Sequence, residues 1–529
     1  MKTQDATDPA FASFFSEMIP RKPLQSAIME GRLRKKWVVN GMDQRNEPLI
    51  EALQKRASEH PVSFHVPGHK HGRLFSDEGH DVLREAAKWD QTEVQGLDDL
   101  YSASGVIQEA QVLLGALYQS GYSRFLTGGS TVGNLAMLYL ASKRGTKVLI
   151  QDNSHQSVYH GLALFQLEGI VMRTDREAFT GLPLGVSYKT LHKTLEAHPD
   201  AAMVLLTSPS YEGYAQSLGD HLALSKSFGL LTGVDEAHGA HFLHPSFPNT
   251  ALHDGADLVV QSAHKMLPAL TMGAWLHVGQ EAPLPEEEVQ QALNMLQTSS
   301  PSYLIMASLD AARAVLARLM EDPLNGEKTK LQTLLACLSQ ETAACVMPAR
   351  LGTYVRDRIK LPLVARKPGM THRWKERMER AHAYPELHSA RHLLLTLPLS
   401  GGERDIEKLQ THAKAWFGEA EGASNDVSFA VKSPDAAWYK ADTQGGDHEG
   451  ERARIPLSDA VGMKSAETVT PYPPGIPLIQ RGQRITKTEI DAVIGADQAG
   501  VRFQTGNRWK YEGIDVYIQK QGDDSNETT

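Results

Sequence analysis

Asp257-Leu-Val-Val-Gln-Ser-Ala-His-Lys-Met-Leu-Pro-Ala-Leu-Thr-Met-Gly-Ala-Trp275 is the stretch on which the reading of this chain turns. The run from Asp257 to Gln261 reads as a short buried strand that ends in Ser262-Ala-His-Lys265. Pro268 forbids a helix from continuing, and Gly273 opens a second apolar run that reaches Val278. Lys265 is thus set between two buried strands, where an ammonium group is costly. Desolvation there lowers its pKa and makes the amine a usable nucleophile. Taken alone, the stretch reads more simply as a lysine that snorkels from a strand end into water. The sequence upstream overturns that simpler reading.

Upstream, two kinds of segment alternate. Residues 123–127, 147–150, 170–173, 201–206 and 230–234 read as strands, and 131–143, 157–166, 191–197 and 221–228 as helices between them. The alternation predicts an α/β fold, a mostly parallel sheet with helices on both faces. In such sheets ligands sit beyond the carboxyl ends of the strands, so chemistry should lie just after each strand.

It does. Gly128-Gly-Ser-Thr-Val-Gly-Asn134 follows the first strand and opens a helix. Gly129 lets the backbone approach an anion, the helix start supplies free N–H groups, and Ser130 and Thr131 add hydroxyls. A plain Gly-rich turn with Ser130 as N-cap is the structural alternative. Gly128 and Gly133 nearly match a nucleotide P-loop, but Asn134-Leu135 stands where Lys-Ser/Thr is required, and GxGxxG is absent. His155 follows the next strand, where an imidazole can stack over an aromatic ligand. Thr207-Ser-Pro-Ser-Tyr-Glu-Gly213 is a turn rich in donors, and Asp235-Glu-Ala-His238 ends a further strand. Asp235 in an apolar setting needs a cation or a protonated ring nitrogen beside it. The four letters resemble a helicase box, but without a P-loop lysine that reading fails. A phosphate cradle, a stacking histidine, a buried aspartate and a desolvated lysine together fit one cofactor, pyridoxal 5'-phosphate.

Length and composition bound what remains. The 529 residues suggest roughly three folding units. No run approaches ~18 apolar residues, so no membrane partner is expected. A formal charge of -9 argues against a nucleic-acid partner, the short basic run at 32–36 notwithstanding. Cys337 and Cys345 form neither a CxxC pair nor a disulfide framework, which fits a reducing, cytoplasmic setting. His65, His69 and His71 crowd a Pro-Gly turn, yet no Cys, Asp or Glu completes a ligand set, and no metal is expected. Residues 1–45 read as an arm or an over-long start, with Met42 a candidate start of the folded part. A large cofactor-binding domain is expected over 46–310, a small α/β domain over 311–425 and a C-terminal α+β domain over 426–529. The stretch 418–426 reads as a linker, 444–452 as a polar loop and 521–529 as a polar tail without order.

Seven segments give the chain a resemblance: His65-Val-Pro-Gly-His-Lys, Gly96-Leu-Asp-Asp-Leu, Gly129-Ser-Thr-Val-Gly-Asn, Asp235-Glu-Ala-His-Gly, Ser262-Ala-His-Lys-Met-Leu-Pro-Ala-Leu-Thr, Thr298-Ser-Ser-Pro-Ser-Tyr and Pro471-Tyr-Pro-Pro-Gly-Ile-Pro. With these it resembles the Orn/Lys/Arg decarboxylase family of fold type I pyridoxal-phosphate enzymes, in the short bacterial arginine/lysine form. The resemblance covers about residue 46 to the end.

By position, the resemblance makes Lys265 the lysine that condenses with the cofactor aldehyde and Asp235 the partner of the pyridine nitrogen. It makes His155 the stacking ring and puts Gly129, Ser130, Thr131 and Ser262 at the phosphate. His264 and His238 fall where relatives place cofactor contacts, and the segment from Thr298 where they reach a neighbouring subunit's cofactor. A homodimer, or a dimer of dimers with shared active sites, is implied. Glu467 is the carboxylate expected for the distal cation of a small basic amino acid. The implied reaction is α-decarboxylation of arginine, lysine or ornithine to agmatine, cadaverine or putrescine. His238 and Lys265 are the candidates for protonating Cα. Met272 stands where many relatives have Gln, and Gly462-Met463 where Gly-Arg is common, which bears on cofactor-side and substrate-side detail. The receiver-like domain of the long acid-inducible enzymes has no counterpart, so their decamer is not expected. The rival readings are an aminotransferase on the same scaffold and a catalytically silent polyamine- or partner-binding relative.

Overall fold

The computed structural model describes residues 38–39, 41–367, 369–418, 427–434, 436–441, 451–472, 475–504 and 506–518. Most of the expected arm, nearly all of the linker and polar loop, and the tail at 521–529 lie outside the described residues.

Eight strands form the main sheet: β1 (Tyr122–Leu126), β2 (Lys147–Gln151), β3 (Glu168–Met172), β4 (Met203–Thr207), β5 (Leu231–Asp235), β6 (Leu258–Gln261), β7 (Ala274–Val278) and β8 (Trp438–Ala441). Their order is β8-β3-β2-β4-β5-β6-β7-β1. The run from β3 to β6 is parallel throughout. β7 is antiparallel to both neighbours, and β8 lies antiparallel along β3 at the edge. The α/β architecture is the one expected.

Successive side chains of a strand point to opposite faces, and both faces here are apolar. Leu149, Val204, Leu206, Val234 and Val259 enter one core with the helices Val106–Tyr118, Tyr188–Ala197 and Tyr303–Leu319. Val148, Ile150, Leu205, Leu258 and Val260 enter the other with Gly129–Ser142, Gln156–Leu164 and Glu286–Leu296. Continuous apolar runs are what central parallel strands require. The helix after β1 packs so closely that a Cβ on Gly133 would come within 2.3 Å of Cγ2 of Val260. Only glycine fits there.

A second sheet orders Cys345–Val346, Lys360–Val364, His392–Thr396 and Leu387–His388 side by side, all antiparallel. Leu334, Leu361, Leu363, Trp374, Leu393 and Phe417 build its core. In the C-terminal part Ile514–Ile518 pairs with Glu451–Ile455 and Lys464–Ser465 beside the helix Lys487–Gln498. Two details depart from the expected boundaries. The helix Tyr303–Leu319 runs unbroken across 310/311 and packs into the first core as far as Ala317. β8 comes from beyond residue 426, yet it extends the large sheet.

Candidate active site

The carboxyl ends of β1, β2, β4, β5 and β6 open on a cavity of about 680 Å³. Gly129, Ser130, Thr131, His155, Asp235, His238, Ser262, His264 and Lys265 all line it. Nine of the residues singled out in the sequence therefore meet in one place.

The helix Gly129–Ser142 begins directly after the turn that leaves β1, and no side chain caps it. Gly129 takes a φ of +76°, and its N–H donates to the carbonyl of Met272 at 2.8 Å. Ser130 is not the N-cap. Its hydroxyl accepts from Oγ of Ser262 at 2.8 Å, so both stand beside the helix start, where an anion gains from the dipole.

Asp235 ends β5 and is buried. Its Oδ2 accepts from Nδ2 of Asn134 at 2.8 Å and its Oδ1 from the N–H of Ala237 at 3.1 Å. Asn134 also donates to Oγ of Ser157 at 3.0 Å, and that hydroxyl lies 2.9 Å from Nδ1 of His155. The N–H of Ser157 donates to the same Nδ1 at 3.2 Å, which puts the proton of a neutral ring on Nε2. Burial pushes the pKa of His155 down against the pull of Asp235, leaving an uncharged ring suited to stacking. The turn after Pro471 closes over it: the carbonyl of Gly475 accepts the N–H of Gln156 at 3.0 Å, and a Cβ on Gly475 would meet Nε2 of His155 at 3.0 Å.

Lys265 sits in the four-residue helix Ala263–Met266. Burial lowers its pKa below the ordinary lysine value, while Asp235 and then Glu386 pull the other way. Its Nζ lies 3.2 Å from Nε2 of His238, whose own pKa burial holds well below the usual histidine range. A neutral His238 accepts from the amine. His264 fixes its ring by donating from Nδ1 to the carbonyl of Gly273 at 2.9 Å.

The lining fits pyridoxal phosphate in donor chemistry as well. Among the described residues, Nδ2 of Asn153, Oγ1 of Thr207 and Nδ1 of His238 are buried without a hydrogen-bond partner, and all three residues face the cavity. Buried polar atoms of this kind call for a polar ligand.

Two expected residues stay outside the cavity lining. Thr298 is exposed, and its carbonyl takes the hydroxyl of Tyr101. Glu467 is absent from the cavity lining of this chain, and its carboxylate accepts the backbone N–H of Asp515 at 3.1 Å. Besides Asp235, the carboxylate that lines the cavity is Glu386, which accepts from Tyr211 at 2.6 Å. Glu386, Lys360 and Thr396 were missed because the second sheet supplies them, with no Gly-rich turn or strand-end motif to mark them. Tyr211 lay in the donor-rich turn, and Asn134 was visible only as the residue that replaced a P-loop lysine. The histidines at 65, 69 and 71 gather no metal set, and none exists among the described residues.

The family model for the major domain of Orn/Lys/Arg decarboxylases matches residues 47–345, and that for the C-terminal domain matches 426–514. An uncharacterised Bacillus subtilis protein, YaaO, is 37% identical over 90% of this chain and 99% of its own. An arginine decarboxylase of Bacillus subtilis is 30% identical over 88% of this chain and 96% of its own. The fold is shared with the lysine decarboxylase of Francisella novicida, with a TM-score of 0.70, 17% identity, and 94% and 84% of the two chains covered. The chain belongs to the Orn/Lys/Arg decarboxylase family, whose members are fold type I enzymes that use pyridoxal phosphate.

Proposed function

We propose that this chain decarboxylates a basic amino acid at Cα, releasing carbon dioxide and agmatine, cadaverine or putrescine, with pyridoxal 5'-phosphate attached at Lys265. The observation that supports it most is the meeting of Lys265, His238 and the Asn134–Asp235 pair on one cavity wall. When bound, the cofactor supplies an electron sink for the charge left at Cα. The remaining work belongs to the side chains. Asp235, held by Asn134, would keep the ring nitrogen protonated. His155 would stack on the ring face, Gly129, Ser130, Thr131 and Ser262 would hold the phosphate, and His264 would contact the cofactor beside Lys265. Desolvation favours the free-base form of the Lys265 amine, and with His238 beside it this pair is positioned to move a proton to Cα.

A homodimer, alone or doubled, fits the surface. Phe64 is 94% exposed, and Val62 and Val66 on either side of it in the chain are exposed too, an apolar stretch that a second copy would cover. In that assembly the segment from Thr298 would reach the partner's cofactor. Cys337 and Cys345 are not joined in a disulfide, which supports a cytoplasmic setting, and no helix among the described residues is long and apolar enough to cross a membrane. Incubation with arginine, lysine and ornithine, with chromatography of the amine formed, tests the reading. The full-length relatives named arginine decarboxylase make arginine the first to assay. Carbon dioxide release without transfer of the amino group to a keto acid separates this reading from an aminotransferase.

A further inference from the structure

One buried cation in the cavity has no task in the reaction above. Lys360 opens the strand Lys360–Val364 of the second sheet and is only 2% exposed, yet it lines the cavity. Its stem passes over Gly213, where φ is +92° and a Cβ would come within 2.6 Å of the lysine's own Cβ. Asp357 fixes the turn that aims it. The N–H of Asp357 donates to the carbonyl of Gly213 at 2.7 Å, and its buried carboxylate lies 2.9 Å from Nε2 of His241.

The head of Lys360 is under-satisfied. Nζ donates to Oγ1 of Thr396 at 3.0 Å and lies 5.6 Å from the centre of the Tyr211 ring. Thr396 is the one hydrogen-bond partner of Nζ among the described residues, although an ammonium has three N–H groups to give. Glu386, the charge it feels most, already accepts the Tyr211 hydroxyl. Burial pushes the pKa of Lys360 below the ordinary lysine value, against the pull of Glu386, so an anion that arrives with a ligand would restore the charge that no bonded carboxylate holds now.

Its place says which anion. The ring of Tyr211 lies 4.8 Å from that of His238, and His238 touches Lys265, so Lys360 stands on the amine side of the cavity. The helix start at Gly129 and the Ser130–Ser262 pair already provide for the cofactor phosphate. We infer that Lys360 receives the α-carboxylate of the incoming amino acid, an assignment that rests on the decarboxylase reading. A lysine suits a carboxylate that must depart. Its point charge fixes the direction of the scissile bond, yet it lacks the bidentate fork with which an arginine would hold the group in place.

The test compares ligands that differ only in that carboxylate. Cofactor-loaded wild type, K360Q, K360R and T396V are titrated with arginine, lysine and ornithine and with agmatine, cadaverine and putrescine. Binding is read within the mixing time as the change in cofactor absorbance. In K360Q the affinity for the amino acids falls by about 10-fold or more, that for the amines changes by less than about 2-fold, and K360R recovers part of the loss. T396V, which removes the hydrogen bond that steadies Nζ, shifts the amino acids alone in the same direction and decides the matter if K360Q does not fold. Equal losses for both ligand classes, or no loss for either, overturn the assignment while leaving the decarboxylase reading intact. A wild type that takes up no cofactor overturns that reading itself, and the assignment with it.

Discussion

The amine of Lys265 lies 3.2 Å from Nε2 of His238, and desolvation pushes the pKa values of both groups down. At neutral pH the imidazole is uncharged, and more of the amine is free than in a lysine of ordinary pKa. A lowered lysine pKa means that the reactive form is lost as pH falls through the lowered value. The rate of cofactor uptake by the apoprotein should therefore rise with pH and level off below the ordinary lysine value of 10.5. Stopped-flow absorbance checks this, and a rise that continues to 10.5 contradicts it.

Lys265→Ala should be colourless after dialysis and give no turnover. Borohydride followed by peptide mass mapping should tag the wild type at Lys265. A tag elsewhere would refute the assignment of that amine.

Asp235→Ala removes the carboxylate that Asn134 holds at 2.8 Å. Loss of one preorganised electrostatic partner typically costs about 10²–10³ in kcat, and that is the drop expected here. Asn134→Ala should fall in the same direction by less, because the N–H of Ala237 still holds the other oxygen. Steady-state amine formation ranks the two.

Gly475→Ala should strain the turn that covers His155, since φ is +79° and the new Cβ would lie 3.0 Å from the imidazole. A loss of about 1 kcal/mol or more in stability is expected from the backbone alone. Thermal melting reads it, and cofactor affinity should fall with it as the ring shifts. Glu467→Gln should leave KM for the amino acid within about 2-fold, a change no larger than surface substitutions give.

Glu212 is buried, with its pKa pushed up to about 7 by desolvation. A raised acid pKa stabilises the fold fully below the unfolded value near 4.5, and that stability is lost as pH rises toward 7. Glu212→Gln should flatten the fall in Tm between pH 5 and pH 8. An unchanged slope would assign it to Glu236, whose carboxyl is raised to the same range.

Much of this was legible in the chain because both faces of the central strands are apolar and each strand ends in a marked turn. Strand runs such as Lys147–Gln151 differ from the expected ones by a residue or two, as hydrogen bonding sets ends that patterning blurs. Lys265, Asp235 and His155 were readable for the same reason: their turns follow strands. Lys360 was not, because its position depends on a strand of another sheet and on the space left by Gly213, a distance in space rather than in sequence. Glu467 lies outside this chain's cavity lining, since proximity to the Pro-rich turn says nothing of which way a carboxylate faces. β8 was invisible, since four residues after a long polar stretch carry no period to read.

That last strand has a practical side. Trp438–Ala441 covers the open flank of Glu168–Met172. Any shortened version ending before residue 438 would bare the amides and carbonyls of an apolar strand, inviting self-association between molecules. Failure of such a clone to stay in solution would thus reflect an unsealed border rather than a missing catalytic part.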